Sequence, residues 1–161
     1  MNQVYLSFGS NVGERSANIE TALRLLDNSA VKIKQLSSLY DTEPWGNTTQ
    51  SAFMNMAGIF DTTLSPVELI RCILDIENSM GRQRIIKWEP RIIDIDILLF
   101  GNKIINENGL IIPHPEMRYR KFVLMPLAEI APDVIHPVLN KPIKKLLMEC
   151  EDELQVAIVP S

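Results

Sequence analysis

The sequence predicts an α+β fold: a ferredoxin-like βαββαβ core on an antiparallel sheet, extended by a C-terminal strand and helix segment. Three observations predict it. Two stretches carry apolar residues at helical spacing, runs rich in β-branched and aromatic residues lie between and around them, and their order over residues 1–100 is strand, helix, strand, strand, helix, strand. Two helices in that order cover one face of the sheet.

Val4 to Phe8 reads as the first strand, and Ile19, Ala22, Leu23 and Leu26 follow the i, i+3, i+4, i+7 spacing of an amphipathic helix. Between them, Gly9-Ser10-Asn11-Val12-Gly13 fits neither phosphate-loop spacing, GxxxxGK[ST] or GxGxxG. It is read as a tight turn with Asn11 or Ser10 capping the helix. Val31 to Tyr40 and Phe53 to Thr63 form the next strands, joined by a segment rich in Pro, Gly, Asn and Thr that is longer than a hairpin needs. Ser65 as N-cap, Pro66 at the first helical position and Glu68 closing a capping box start a helix over about 66–80, which Gly81 ends. Ile92 to Phe100 is the fourth core strand. Lys103 to Ile105 and Leu110 to Ile112 are short apolar pieces expected to extend the sheet, and a short helix is placed near Phe122 to Ile130.

A chain of 161 residues is of ordinary size for one domain, and residues 1–161 are read as one. Cys72 and Cys150 lie far apart without a CxxC pair or a His partner, which suggests neither a disulfide framework nor a zinc site. With no signal-like N-terminus and the longest apolar run broken by two aspartates, a cytoplasmic protein without membrane contact is expected. The net charge of −4 disfavours generic nucleic-acid binding.

Within Ile92 to Leu99 a period of two sends Ile93, Ile95, Ile97 and Leu99 to one face and Asp94 and Asp96 to the other. Their Cα atoms are then about 7 Å apart, close enough for both carboxylates to share or bridge hard cations. The bland alternative is a pair of solvated aspartates on a half-exposed strand. Arg82, Arg84, Lys87 and Arg91, interleaved with Trp88, form a basic cluster just upstream. Arginine forks suit phosphate oxygens, although such a loop can also be simply solvated. The arrangement points to magnesium and a phosphoryl-type transfer from a nucleotide. His114, Arg118, Arg120 and Lys121 make a second basic group. Glu77 falls on the apolar stripe set by Ile70, Ile73 and Leu74, so it either lines a cavity or turns out to solvent or to Arg82 or Arg84. Phe53 and Asn55 share a strand face after the long loop bearing Trp45, a combination suited to a flat heterocycle with a mixed hydrogen-bonding edge, or to plain core and backbone duties.

Gly9-Ser10-Asn11, Glu77 through Gly81-Arg82 to Arg84, Trp88 to Asp96, and Pro113-His114 to Phe122, taken together, resemble the 6-hydroxymethyl-7,8-dihydropterin pyrophosphokinases of folate biosynthesis. The segment Pro90-Arg91-x-x-Asp94-Ile95-Asp96-Ile97-Leu98 carries most of the specificity, and the resemblance runs from about Val4 to Pro137. It implies transfer of pyrophosphate from ATP to the pterin hydroxymethyl group with release of AMP, and two magnesium ions on Asp94 and Asp96. It also implies phosphate contacts from Arg82, Arg91, His114 and Arg120, Arg84 and Trp88 on a catalytic loop, and Glu77 in the nucleotide site. Arg82, Arg84, Arg91 and Asp96 then carry the catalytic step. The pterin is expected between Phe53 and Phe122, with Thr42, Asn55 and the backbone near Trp45 reading its edge and Glu43 on the rim. Glu89 and Ile92, in place of the family's usual small residue and threonine, and Glu43 and Trp45, in place of proline and an aliphatic residue, depart from the pattern. A monomer acting on small molecules is expected. The rivals are a palm-type nucleotidyl transferase, which needs a basic groove for nucleic acid, and a non-catalytic RNA-binding module of similar topology.

Overall fold

The computed structural model describes residues 1–43, 52–81 and 92–160. The roles expected of Trp45, Arg82, Arg84, Lys87, Trp88, Glu89 and Arg91 concern residues outside them. Strand β1 (Asn2–Ser10), helix α1 (Arg15–Leu26), strands β2 (Val31–Leu36), β3 (Tyr40–Thr42) and β4 (Phe53–Thr62), helix α2 (Pro66–Ser79) and strand β5 (Asp94–Phe100) follow the predicted order. The strand expected over Val31 to Tyr40 is split. Ser37 turns its side chain into the ladder, where Oγ accepts the Ala57 N–H at 2.9 Å, so β2 and β3 pair separately with successive parts of β4. The main sheet runs β5-β1-β4-β3-β8, with β2 beside β4, and its strands pair antiparallel.

The predicted capping box is present at α2: Ser65 Oγ accepts the Glu68 N–H at 3.2 Å, and Glu68 Oε1 accepts the Ser65 N–H at 2.8 Å. Gly81 follows the C-cap Met80 at φ +90, a conformation only glycine adopts at little cost. The expectation at α1 fails. Glu14 is its N-cap without a side-chain bond, while Asn18 Nδ2 reaches back to Ser10 Oγ at 3.1 Å and the Val12 carbonyl at 2.8 Å. Ser10 ends the strand and does not cap the helix.

The expected extension of the sheet by residues 103–105 and 110–112 is also corrected. Strands β6 (Ile105–Glu107) and β7 (Leu110–Ile112) form a separate two-stranded hairpin, closed by Asn108 and Gly109 at φ +51 and +79, the positive angles of a two-residue hairpin turn. A 3-10 turn (Met117–Tyr119) leads into α3 (Lys121–Ile130), followed by α4 (Ile143–Glu149) and β8 (Val156–Ile158). It is β8 that extends the main sheet, along β3.

The sheet is packed on both faces. Val4, Leu6, Phe8, Met56, Phe60, Ile93, Ile95 and Ile97 meet α1 and α2, whereas Tyr5, Ala57, Ile59, Leu98 and Leu99 meet α3 and α4. Leu99 therefore does not share the face of the isoleucines. The register between β1 and β5 shifts at Tyr5/Leu6, inserting an extra residue that turns Leu99 toward α3. Among the described residues no helix is long and apolar enough to cross a membrane, and both cysteines are free and half-buried.

Candidate active site

Because Ile93, Ile95 and Ile97 point to α1 and α2, Asp94 and Asp96 point to the α3 face, as the period of two requires. Asp96 is 37% exposed. Beneath the pair, Ile95 donates its N–H to Glu77 Oε2 at 2.8 Å. β5 is an edge strand of the sheet, and this carboxylate from α2 satisfies an otherwise buried edge amide. Glu77 thus does not turn out to solvent: it is 2% exposed, and the buried stripe of α2 is Leu69, Ile73, Ile76 and Glu77, with Ile70 and Leu74 half-buried.

His114 is delivered to the same strand by the β6–β7 hairpin and Pro113. Its N–H donates to the Leu98 carbonyl at 3.0 Å, which fixes its backbone beside β5. Its ring Nδ1 accepts the Glu116 N–H at 3.1 Å, so in the neutral ring the proton sits on Nε2, 3.9 Å from Asp96 Oδ1. Burial, and then the Arg120 guanidinium, push the His114 pKa below its ordinary value against the pull of Glu116 and Asp94. Both effects favour the neutral ring, whose Nε2–H then faces Asp96.

On the register, one row crosses four strands: Asp94 on β5 faces Gly9 on β1, Gly9 faces Asn55 on β4, and Asn55 faces Tyr40 on β3. At about 4.8 Å per strand, Asp94 and Asn55 stand roughly 10 Å apart. Between them Gly9 contributes no side chain. A Cβ there would lie 3.1 Å from Asn55 Nδ2 and 3.6 Å from Phe53 Cδ1, so the glycine leaves a floor at the carboxylate, amide and aromatic groups. Asn55 and Thr42 are buried at 4% and 2% exposure, yet Asn55 Oδ1 and Thr42 Oγ1 have no hydrogen-bond partner among the described residues. Orphaned polar atoms cost about 1–3 kcal/mol each, and the two lie on one sheet face beside half-buried Phe53, where a polar planar molecule would satisfy them. Phe122, with the Arg120 guanidinium 5.9 Å from its ring centroid, stands at the start of α3, which packs over β1, β3 and β4.

Two residues that nothing in the sequence singled out hold this arrangement. Arg15 Nη1 bonds Asp41 Oδ1 at 2.9 Å and the Ala52 carbonyl at 2.7 Å, pinning both ends of the long loop. Glu129 of α3 accepts from the Tyr40 hydroxyl at 2.6 Å and from the Ser38 N–H and hydroxyl, fastening α3 to β3. Neither pairing has a local sequence signature, because each joins residues far apart in the chain. Among the described residues no cluster of three or more His, Cys, Asp or Glu side chains gathers as a metal cage.

Residues 5–132 match the family model described as 7,8-dihydro-6-hydroxymethylpterin-pyrophosphokinase. The chain is 45% identical over 134 residues to the 2-amino-4-hydroxy-6-hydroxymethyldihydropteridine pyrophosphokinase of Bacillus subtilis, covering 83% of this chain and 80% of that one. It is 41% identical over 149 residues to the enzyme of the same name from Aquifex aeolicus, covering 92% of each. A solved HPPK-DHPS chain in complex with substrates superposes with a TM-score of 0.74 at 19% identity, over 92% of this chain and 43% of that longer one, a likeness of fold. The nucleotidyl transferase and RNA-binding readings find no support in these matches. With a family model covering most of its length and close relatives of the same name, the chain belongs to the 7,8-dihydro-6-hydroxymethylpterin-pyrophosphokinase family.

Proposed function

We infer that this chain transfers pyrophosphate from ATP to the hydroxymethyl group of 6-hydroxymethyl-7,8-dihydropterin, releasing AMP, in folate biosynthesis. One observation carries the assignment of roles: on a single sheet face, a carboxylate pair is separated by the bare floor of Gly9 from a buried amide oxygen and a buried hydroxyl that have no hydrogen-bond partner among the described residues. A pterin has a flat ring and an edge of mixed donors and acceptors. Asn55 and Thr42 supply the complementary edge, Phe53 and Phe122 the flanking rings, and Glu43 and Trp45 the rim. Its hydroxymethyl group then extends toward Asp94 and Asp96.

Transfer of two phosphoryl units with loss of AMP requires the pterin hydroxyl oxygen to attack the β-phosphorus of ATP while the bond from that phosphorus to the oxygen bridging it to the α-phosphate breaks. Such a reaction needs alignment and charge neutralisation more than a protein nucleophile. Asp94 and Asp96 are hard oxygen donors that share a face and remain accessible, a donor set that suits magnesium, whose other ligands are commonly phosphate oxygens and water. Asp94 and Asp96 would hold two magnesium ions, which would supply charge neutralisation for the polyphosphate. His114 presents a neutral Nε2–H, and Arg120 a guanidinium, to phosphate oxygens. The family resemblance assigns phosphate contacts to Arg82 and Arg91 as well, and the catalytic loop to Arg84 and Trp88. Glu77 supports the nucleotide site through its bond to Ile95, which sets the strand between the two aspartates.

We read residues 1–161 as one domain, acting as a cytoplasmic monomer on small molecules rather than on nucleic acid or membrane. Exposed Lys32 and Lys34 on β2 are the charges that discourage edge-to-edge pairing. Calorimetry with a non-hydrolysable ATP analogue and magnesium, with and without 6-hydroxymethylpterin and with RNA as control, tests the assignment. Pterin binding that strengthens when nucleotide is present is expected. Pterin binding indifferent to nucleotide contradicts the reading.

A further inference from the structure

Residues 133–160 lie beyond the part of the chain that matches the family model, yet their last ten residues touch both walls of the proposed pterin pocket. On one wall, α3 begins without a cap of its own: its N-cap residue Arg120 makes no side-chain capping bond. Asp152 serves instead, with Oδ2 accepting the Lys121 N–H at 3.0 Å and Oδ1 accepting the Leu154 N–H at 3.0 Å. A carboxylate at that point satisfies a first-turn amide and complements the positive end of the helix. Lys121 lies between Arg120 and Phe122, so the bond fixes the turn that carries both. On the other wall, Gln155 donates its N–H to Glu43 Oε1 at 2.8 Å and accepts the Glu43 N–H at 3.3 Å. β8 then pairs Val156, Ala157 and Ile158 with Thr42, Asp41 and Tyr40, and Val159 donates to the Leu39 carbonyl at 2.8 Å.

We propose that residues 150–159 form a strap that holds the pterin pocket in its binding-competent shape, with Asp152 the positioning residue that ties the Phe122 wall to the strand bearing Thr42. The strap rests on the reading of this face as the pterin site. Its physics is pre-organisation. Loss of an N-terminal cap lets the first turn fray, and affinity falls by the fraction of molecules that no longer hold the competent turn. Asp152 touches no substrate, so its removal acts through the turn, on pterin binding through Phe122 and more weakly on ATP through Arg120, and leaves the carboxylate pair on β5 in place.

Steady-state kinetics of AMP release, with amide hydrogen exchange at Lys121, test it in full-length protein. Asp152→Ala is expected to raise the KM for pterin roughly fivefold, the usual worth of a cap, with kcat within about twofold of the parent, a smaller rise in the KM for ATP because Arg120 is one of several phosphate contacts, and faster exchange at Lys121. Asp152→Asn, which keeps an acceptor, is expected to recover most of the pterin KM, and Glu153→Ala, an exposed neighbour, to match the parent. If Asp152→Ala does not fold, Gln155→Pro, which removes the N–H given to Glu43 and restrains the backbone just before β8, is expected to raise the pterin KM in its place. An unchanged pterin KM in a folded variant overturns the strap, as does a loss shared equally by pterin KM, ATP KM and kcat. A parent protein that releases no AMP overturns the functional reading instead, and the exchange at Lys121 still decides: faster exchange in Asp152→Ala supports the strap, and unchanged exchange refutes it.

Discussion

Gly9→Ala places a methyl group in the floor between Asp94 and Asn55. The backbone tolerates it, since Gly9 is an in-register strand residue between β4 and β5 and is absent from the glycines with positive φ. Its Cβ meets Asn55 Nδ2 at 3.1 Å, a few tenths of an ångström too close, and Phe53 Cδ1 at an ordinary 3.6 Å. Overpacking of this kind costs about 1–3 kcal/mol, while alanine in place of glycine restrains the unfolded chain and returns about 0.4–1 kcal/mol. Net stability is therefore expected to fall by no more than about 2.6 kcal/mol, and the protein stays folded. Binding is affected more selectively, because the amide that reads the pterin edge must shift. Weakening its paired hydrogen bonds by about 1–2 kcal/mol corresponds to a rise in pterin KM of roughly 5- to 30-fold. ATP affinity is expected to stay within about twofold, since the carboxylate pair is one strand away from the clash. AMP-release kinetics at varied pterin and at varied ATP read the two separately. A folded Gly9→Ala protein with the parent's pterin KM refutes the placement of the pterin over this floor.

Asp96→Ala is expected to abolish AMP formation and leave the thermal midpoint nearly unchanged, because the side chain is 37% exposed; a collapsed fold indicates a structural role instead. Glu77→Ala strands the Ile95 N–H beneath the carboxylate pair and is expected to lower stability by about 1–3 kcal/mol, a drop of roughly 3–10 °C for a chain of this length, with Glu77→Gln recovering part of it. Unchanged melting of Glu77→Ala means the bond to Ile95 carries no weight. Burial first, and the bond to Glu129 second, push the Tyr40 pKa from 10.0 up to about 12. The folded state therefore favours the neutral phenol, so this stability is complete below pH 10 and is lost as pH rises from 10 to about 12. Tyr40→Phe lacks that component of the loss. Denaturant unfolding of both proteins across this range yields converging curves, whereas parallel curves contradict the coupling.

How much of this could be read from the chain depended on how local the signal was. The start of α2 was written in Ser65, Pro66 and Glu68, and its end in Gly81, because caps act between residues three or four apart. The facing of Asp94 and Asp96 followed from a period of two within one strand. The same rule misplaced Leu99, since the register shift that turns it is set by how β5 meets β1. The break between β2 and β3 depends on Ser37 meeting Ala57, twenty residues away, and so left no local mark. Strand β8 is three residues in a polar tail, too short to show alternation, and exists because β3 offers it an edge. The candidate site divides in the same way. Phe53 with Asn55 and the carboxylate pair stood out within single strands, whereas the floor at Gly9, the pin at Arg15 and the carboxylates of Glu129 and Asp152 acquire their roles from partners that only the fold brings near.

Product analysis of a single reaction containing the protein, ATP, magnesium and 6-hydroxymethyl-7,8-dihydropterin tests the central claim most directly. Phosphorus NMR is expected to show AMP and the pterin diphosphate appearing in equal amounts, with no ADP, and neither product without the pterin. ADP with a pterin monophosphate, or AMP formed at the same rate when the pterin is omitted, contradicts pyrophosphate transfer at this site.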